Sequence, residues 1–519
     1  MTRFLMGTAA LALSTGMASA EYTLHILHTN DMHSRIESIN RFDSTCNAEG
    51  EAEGKCFGGV ARVKTAIDAK KASLGNQNVV VLDAGDPFQG SLFYTTYKGA
   101  AEAEFMEQMG YHAMAVGNHE FDDGPQGLAD FIEKVTFPVI SGNLDLSSSA
   151  ELNGKVGNHV VLEVGGKKIG VISALATDTV ETSSPGADVV FQDEIEALAA
   201  DVATLEGEGV DIIIALNHVG LNKDLEIAEA VPGIDVVIGG HSHTLMTNGD
   251  DETPAYPTMV GDTPVAQAYA YTKYLGHLTV TFDDDGNVTA ASGDPMLLDA
   301  SVEPNAAFID RIAEMGAPIE EMKTRVVAEA AEAIEGGRDT CRAMECPMGS
   351  LIADAMLDRV KDQGIEIAIQ NGGGIRASID AGEITMGEVL TVLPFQNTLS
   401  TFQVPGSAIV AALENGVGQI EDGAGRFPQV AGMSYAFDVS KLAGERVSDV
   451  MVGGAPIDMD KVYGVVSNNY VRNGGDGYAM FVDADKAYDF GPDLADVTAE
   501  YLAAQGPFTP YTDGRITAK

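Results

Sequence analysis

The feature that most constrains this chain is a pattern repeated through its first half. A short apolar run breaks off into a polar cluster, and a helical stretch follows. The runs occupy residues 23–29, 79–82, 113–116, 168–173, 211–216 and 235–238. Helical stretches fill 60–72, 101–109 and 194–205. Strands alternating with helices predict an α/β domain. Residues 278–282 and 288–291 flank the turn Asp283-Asp284-Asp285-Gly286-Asn287, a hairpin signature that closes this unit.

Past an acidic, Pro-containing stretch, residues 304–326 place Phe308, Ile309, Ile312, Met315, Ile319 and Met322 at helical spacing. This reads as a connecting helix. The second half mixes a helix (349–361) with strands at 366–369, 399–404 and 462–467. The predicted layout is a leader at 1–20, a first domain at 21–302, a linker helix at 303–326 and a second domain at 327–519.

Composition narrows the partners. Hydrophobic residues make up 45% of the chain, enough for a sizeable core, and the net charge is −46. A nucleic-acid or anionic-membrane partner needs a basic face, which this balance does not supply. The N-terminus reads as a secretory signal: Arg3, an apolar stretch over 4–13, then Ala18-Ser19-Ala20. Residues 511–519 are polar and lack the tail of a lipid-anchor signal. The expectation is a periplasmic or secreted protein without a membrane anchor, either monomer or homodimer. Export permits disulfides. The four cysteines fall into local pairs, Cys46 with Cys56 and Cys341 with Cys346. Disulfides are the preferred reading and a zinc site the alternative.

The polar clusters at the strand ends carry the chemistry. They are Asp31-Met32-His33, Gly85-Asp86, Gly117-Asn118-His119-Glu120, Asn217-His218 and Gly239-Gly240-His241-Ser242-His243. Loops at the carboxyl ends of strands are where α/β sheets place ligands. Carboxylate, amide and imidazole donors without a thiolate suit Mn, Zn, Mg, Fe or Co. All ten histidines lie at or before His277, so a His-bound metal belongs to the first domain. The other histidines (His25, His28, His112, His159, His277) read as ordinary strand or surface residues.

Taken together, Asp31-x-His33, Gly85-Asp86, Gly117-Asn118-His119-Glu120, His218 and Gly240-His241-x-His243 resemble the calcineurin-like metallophosphoesterase signature. Leu27-His28-Thr29-Asn30-Asp31, Asp83-Ala84-Gly85-Asp86 and Gly117 to Asp122 resemble its 5′-nucleotidase branch. The resemblance implies a four-layer αββα metallophosphoesterase sandwich, and a C-terminal α+β nucleotide-binding domain joined to it by the linker helix. It implies two divalent metal ions (Zn, Mn, Co or Mg). Asp31, His33, Asp86 and His243 would hold one; Asp86, Asn118, His218 and His241 the other. Such a pair clamps phosphoryl oxygens and lowers the pKa of water, so that a hydroxide attacks phosphorus. His119 and Asp122 would be the catalytic dyad, His119 stabilising charge on the phosphoryl oxygens or leaving group.

In the second half, Asn371-Gly372-Gly373-Gly374-Ile375-Arg376 and Asn469 to Gly477 are glycine loops after strands, and Leu393-Pro394-Phe395 puts a ring in a turn. These resemble the nucleotidase C-terminal domain. That likeness implies a nucleobase stacked between Phe395 and Tyr470, ribose hydroxyls on Asp476, and phosphate or nearby polar groups on Arg342, Asn371 and Arg376. Tyr470 stands where some relatives have Phe, adding a hydroxyl. The implied activity is hydrolysis of nucleoside 5′-monophosphates such as AMP. Alternatives on the same scaffold are a UDP-sugar or NAD pyrophosphohydrolase and a 2′,3′-cyclic-nucleotide phosphodiesterase/3′-nucleotidase. A sulfur-oxidation thiohydrolase and a non-catalytic nucleotide-binding protein rank lower.

Overall fold

The computed structural model describes residues 21–519, apart from 42, 44, 184, 250–252 and 490. The predicted leader lies outside the described residues. The first half builds two mixed sheets that pack face to face. One runs Val288–Gly293, Tyr274–Phe282, Tyr22–Thr29, Asn78–Asp83, Ala113–Ala115, Val139–Ile140, with Met296–Leu297 added beside Tyr274–Phe282. The other runs Thr258–Val260, Thr263–Ala266, Val236–Ile238, Ile212–Leu216, Lys167–Ile172, His159–Val164.

Alternation along the strands explains the layers. Leu24, Ile26, Val80 and Leu82 meet Ile169, Val171, Ile212 and Ile214 between the sheets. Leu27, Val81 and Met114 point the other way, onto Val63, Ile67, Phe105 and Met106 of the helices Val60–Leu74 and Ala100–Met109. Across the molecule, Ile213, Ala215 and Val237 pack on Leu198, Val202 and Ile227 of the helices Glu194–Gly207 and Leu221–Ala230. The side-chain period of two sends successive residues to opposite layers, and the result is the expected αββα order. The hairpin forms as predicted, with Thr281 opposite Ala290.

The connecting helix spans Ala306–Lys323, capped by Asn305, whose side chain accepts from the Phe308 amide. Phe308, Ile312, Met315 and Ile319 are buried in the apolar core of the first half. Arg311 pairs with Glu104 at 2.6 Å, and Tyr97 donates to the Met315 carbonyl. Beyond it, a five-stranded sheet runs Pro428–Ala431, Ile367–Asn371, Val462–Asn468, Leu399–Pro405, Asp485–Tyr488. The helices Pro347–Val360 and Leu494–Gln505 share a core with Ala368, Ala431 and Val466. The helix Gly406–Val417 packs with Ile367, Ile369, Phe402 and Val465. A smaller sheet joins Ala455–Pro456, Val447–Val452, Met433–Phe437 and Ile516–Ala518. Both cysteine pairs are disulfides, Cys46–Cys56 and Cys341–Cys346, which removes the zinc alternative.

Candidate functional site

The strand-end clusters converge. Asp31 and His33 follow Tyr22–Thr29; Asp86 follows Asn78–Asp83; Asn118 and His119 follow Ala113–Ala115. These three strands are parallel neighbours, so their carboxyl ends share one edge. His218 leaves Ile212–Leu216, and His241 and His243 leave Val236–Ile238, a parallel pair in the facing sheet. The backbone here is unusual. Asp31, His33, Asp86, His241 and His243 have φ of 52°, 47°, 59°, 75° and 51°. Left-handed conformations cost non-glycine residues roughly 1–2 kcal/mol each, and such strain concentrates at functional sites. Cross-loop bonds hold it in place: the Asp31 amide donates to Gly85 O at 2.9 Å and the His33 amide to Asp86 O at 3.0 Å. Gly117 is required, because a Cβ there would collide with the Asp86 carboxylate.

Among the described residues, three overlapping groups form: Asp31, His33 and His243; His33, Asp86 and His119; Asp86, His218 and His241. Within each, the donor atoms lie within 4.8 Å of one another. Asn118 joins the last group, its Oδ1 lying 3.2 Å from His218 Nε2 and 2.8 Å from His241 Nδ1. His33 Nε2 and His243 Nε2 are 2.8 Å apart.

The donor set fits a cation. His218 Nδ1 lies 2.7 Å from the Ala84 carbonyl, so that nitrogen carries the proton. A neutral ring then turns a lone pair at Nε2 toward Asp86 Oδ2 (3.1 Å) and Asn118 Oδ1, which are also acceptors. Fully buried acceptors facing one another need a positive charge between them. Without a metal, a proton must supply it: burial opposes protonation of His218, but Asp86 and Asp31 raise its pKa to about 10. Burial pushes Asp86 up, yet His218 and His119 hold it well below the usual carboxylate range.

His119 sits beside this cluster. Its Nδ1 is 2.7 Å from Asp122 Oδ2, and its Nε2 is 4.0 Å from Asp86 Oδ2. Burial favours neutral imidazole, but Asp122 and Asp86 outweigh it and raise the pKa to about 9. Supporting residues went unread in the sequence. Ser183 Oγ donates to Asp122 Oδ1 at 2.8 Å, and Gln89 donates to Asp122 Oδ2. Glu120 is buried, and its Oε2 accepts from the amides of Gly117 (2.6 Å) and Asp86 (3.1 Å), tying two of the strand-end loops together. Burial and the Asp86 charge raise its pKa to about 8. Glu120 stood inside the quoted motif; Ser183 and Gln89 carried no local signal.

The second-half residues line the same cavity. A cleft of about 1190 Å³ is lined by His33, Asp86, Asn118, His119, His241 and His243 on one side. Arg342, Asn371, Arg376, Phe395, Tyr470 and Asp476 line it on the other. Asp31, Asp122 and His218 stand behind this lining, in contact with it. Asp476 is the hub of the far side: its Oδ2 accepts from Asn371 at 2.7 Å and its Oδ1 from the Tyr470 hydroxyl at 3.0 Å. The Arg376 guanidinium lies 5.4 Å over the Phe395 ring. Arg342, inside the Cys341–Cys346 loop, donates to Gly423 O at 3.2 Å. Burial, then the nearby Arg338 and Arg376, lower its pKa, while Asp476 opposes them. Crowded guanidinium groups of this kind make a natural anion site.

Comparison with known proteins gives this cleft its kinship. The profile described as calcineurin-like phosphoesterase matches residues 24–245, and that of the 5′-nucleotidase C-terminal domain matches 326–483. The chain is 37% identical to the 5′-nucleotidase of Bos taurus, over 96% of this chain and 91% of that one. The chain belongs to the 5′-nucleotidase family. Among solved structures, the 5′-nucleotidase precursor of Thermus thermophilus matches over 96% of this chain and 99% of its own, at 39% identity and TM-score 0.63. The NAD nucleotidase of Haemophilus influenzae covers 96% and 100%, at 27% identity and TM-score 0.75. As a 5′-nucleotidase-family member, the chain is a two-domain α/β protein whose metallophosphoesterase domain implies divalent metal ions. The first profile match contains Asp31 through His243 and the second Arg342 through Asp476.

Proposed function

We propose that this protein hydrolyses nucleoside 5′-monophosphates to nucleoside and phosphate. One observation carries the reading: a single cleft holds the Asp/His cluster on one wall and an arginine, asparagine and aromatic set on the other. Asp31, His33, Asp86 and His243 would hold one divalent ion, and Asp86, Asn118, His218 and His241 a second, with Asp86 shared. Zn, Mn, Co and Mg all suit these donors. Bound there, such ions neutralise phosphoryl oxygens and lower the pKa of water.

The chain's own residues supply the rest. Asp122 fixes the proton on His119 Nδ1, so Nε2 faces the cleft and carries the second proton of the imidazolium. That N–H stabilises charge developing on the phosphoryl group and donates to the departing ribose oxygen. Phe395 and Tyr470 offer π-faces to the base, which any base satisfies. Asp476, already oriented by Asn371 and Tyr470, accepts from ribose hydroxyls. Arg342 and Arg376 attract the anion.

Of the layout proposed from the sequence, with domains at 21–302 and 327–519 and a linker at 303–326, the separate apolar cores of the two halves support the division into two units, while the linker helix packs into the core of the first. A periplasmic or secreted location is supported by the two disulfides. The test is phosphate release from AMP with Mn²⁺ or Co²⁺, with and without EDTA. Absence of metal-dependent release would sink the reading. A cleft this large also has room for a nucleotide bearing a second group, which favours UDP-glucose or NAD as a second substrate class; both belong in the same assay.

A further inference from the structure

Arg35 and Gln396 join the two walls of the cleft. Arg35 Nη1 donates to Gln396 Oε1 at 2.8 Å, across 361 positions of sequence. Neither residue belongs to the metal-type cluster or to the nucleotide set, and each is anchored to one of them. Arg35 is buried. Its Nη1 also donates to the His33 carbonyl and its Nε to the Asp43 carbonyl, both at 3.3 Å. The guanidinium lies 5.0 Å over the Tyr271 ring, and Tyr271 in turn packs against His33 and His243. Arg35 is therefore locked to the metal-side loops by hydrogen bonds and by a cation–π contact.

Gln396 immediately follows Phe395 in the turn after the helix Met386–Val392. Its φ is +53°, a left-handed conformation that a glycine would adopt more easily. A non-glycine residue persists in such a conformation when its surroundings over-determine it, and these sites are commonly functional. Here the side chain made available is the one that reaches Arg35. Arg376, whose amide donates to Val392 O, lies over the Phe395 ring.

We propose that Gln396 is a positioning residue that, through Arg35, sets the distance between the base end and the phosphate end of the cleft. The assignment rests on the nucleotide reading of that cleft. Its physical basis is effective concentration. A ligand gripped at both ends gains affinity only when the two sites are held at the span it offers. Loosening that span costs a ligand that bridges both ends and spares one that occupies a single end.

Calorimetry on the metal-loaded protein tests this with two probes. Adenosine engages the base end alone; a phosphonate analogue of AMP engages both. Gln396→Gly removes the acceptor and suits the positive φ, so the turn is retained. It should weaken the phosphonate about tenfold while changing adenosine less than twofold. Gln396→Glu keeps an acceptor for Arg35 and should restore phosphonate affinity to within about twofold of wild type. In turnover, Gln396→Gly should raise KM for AMP and leave kcat within a few fold. Equal weakening of both probes would show that Gln396 merely packs Phe395, and would overturn the proposal. So would unchanged phosphonate affinity, or a Glu variant that behaves like Gly. Wild-type protein that binds adenosine but does not hydrolyse AMP would refute the proposed activity and leave the spacing role intact. Wild-type protein that binds neither probe would refute the nucleotide reading and this assignment with it.

Discussion

His119 is the residue on which the proposed chemistry turns. It is buried against Asp122 and close to Asp86, and it points a charged edge into the cleft. Removing the ring should cost a general-acid and electrostatic contribution of about 10²–10⁴ in rate. His119→Ala is therefore expected to lower kcat on AMP by that factor and to leave the metal-side loops folded. Thermal midpoint and bound-metal content, measured beside kcat, check it; full activity would remove the assignment. The His119–Asp122 pairing was readable because the two stand three residues apart on one turn. The third partner was not. Ser183 lies 61 positions from Asp122, and no local pattern marks a serine that will face a carboxylate after folding. The same holds for Arg35 and Gln396, whose meeting is created entirely by packing.

Loops attached to strand ends were the most legible elements, because an apolar run followed by a polar cluster states both the strand and its exit. Their backbone twist was not legible. Aspartate and histidine at positive φ are imposed by cross-loop bonds such as Asp31 N to Gly85 O, which the local sequence does not encode. Short paired segments such as Leu144–Asp145 with Val190–Phe191 were likewise invisible, being two residues long and held by their surroundings. The loop closed by Cys341 and Cys346 makes a prediction at this scale. It carries Arg342, and Gln429 braces it through the Cys341 and Met344 carbonyls and the Cys346 amide. Replacing both cysteines by serine removes a short-loop constraint of about 2 kcal/mol and frees Arg342. KM for AMP should rise more than kcat falls, and the denaturant midpoint should drop. An unchanged KM would show that the disulfide does not position the arginine.

For the whole molecule, the net charge of −46 and the buried carboxyls make separable predictions. Burial raises Glu102, Asp235 and Asp493 to about 7, with Asp496 adding to the effect on Asp493. Unfolded carboxyls titrate near 4. Between these values the native state keeps protons that the unfolded state has lost, so stability falls as pH rises from about 4 to 7. His119 and His218, raised to about 9 and 10 in the metal-free protein, push the same way above pH 6.5. Melting in EDTA across this range should show a declining midpoint. Asp493→Asn should flatten the slope; a rising midpoint would contradict the buried-carboxyl account. The acidic surface itself repels, and salt screens charges beyond about 8 Å. Activity should accordingly hold or increase with added salt, whereas a steep loss would mean that long-range charge attracts the substrate. The connecting helix has a different consequence, for dissection of the molecule. Phe308, Ile312, Met315 and Ile319 complete the first core, so the helix belongs energetically to the half that precedes it. A free-standing metal-binding half must therefore be cut after Lys323. Ending it at 302 would strip away four plugs worth roughly 1.5–3 kcal/mol each and leave a greasy trench that aggregates. Expression of the two truncations, compared by soluble yield, would locate the seam between these modules on the far side of the helix.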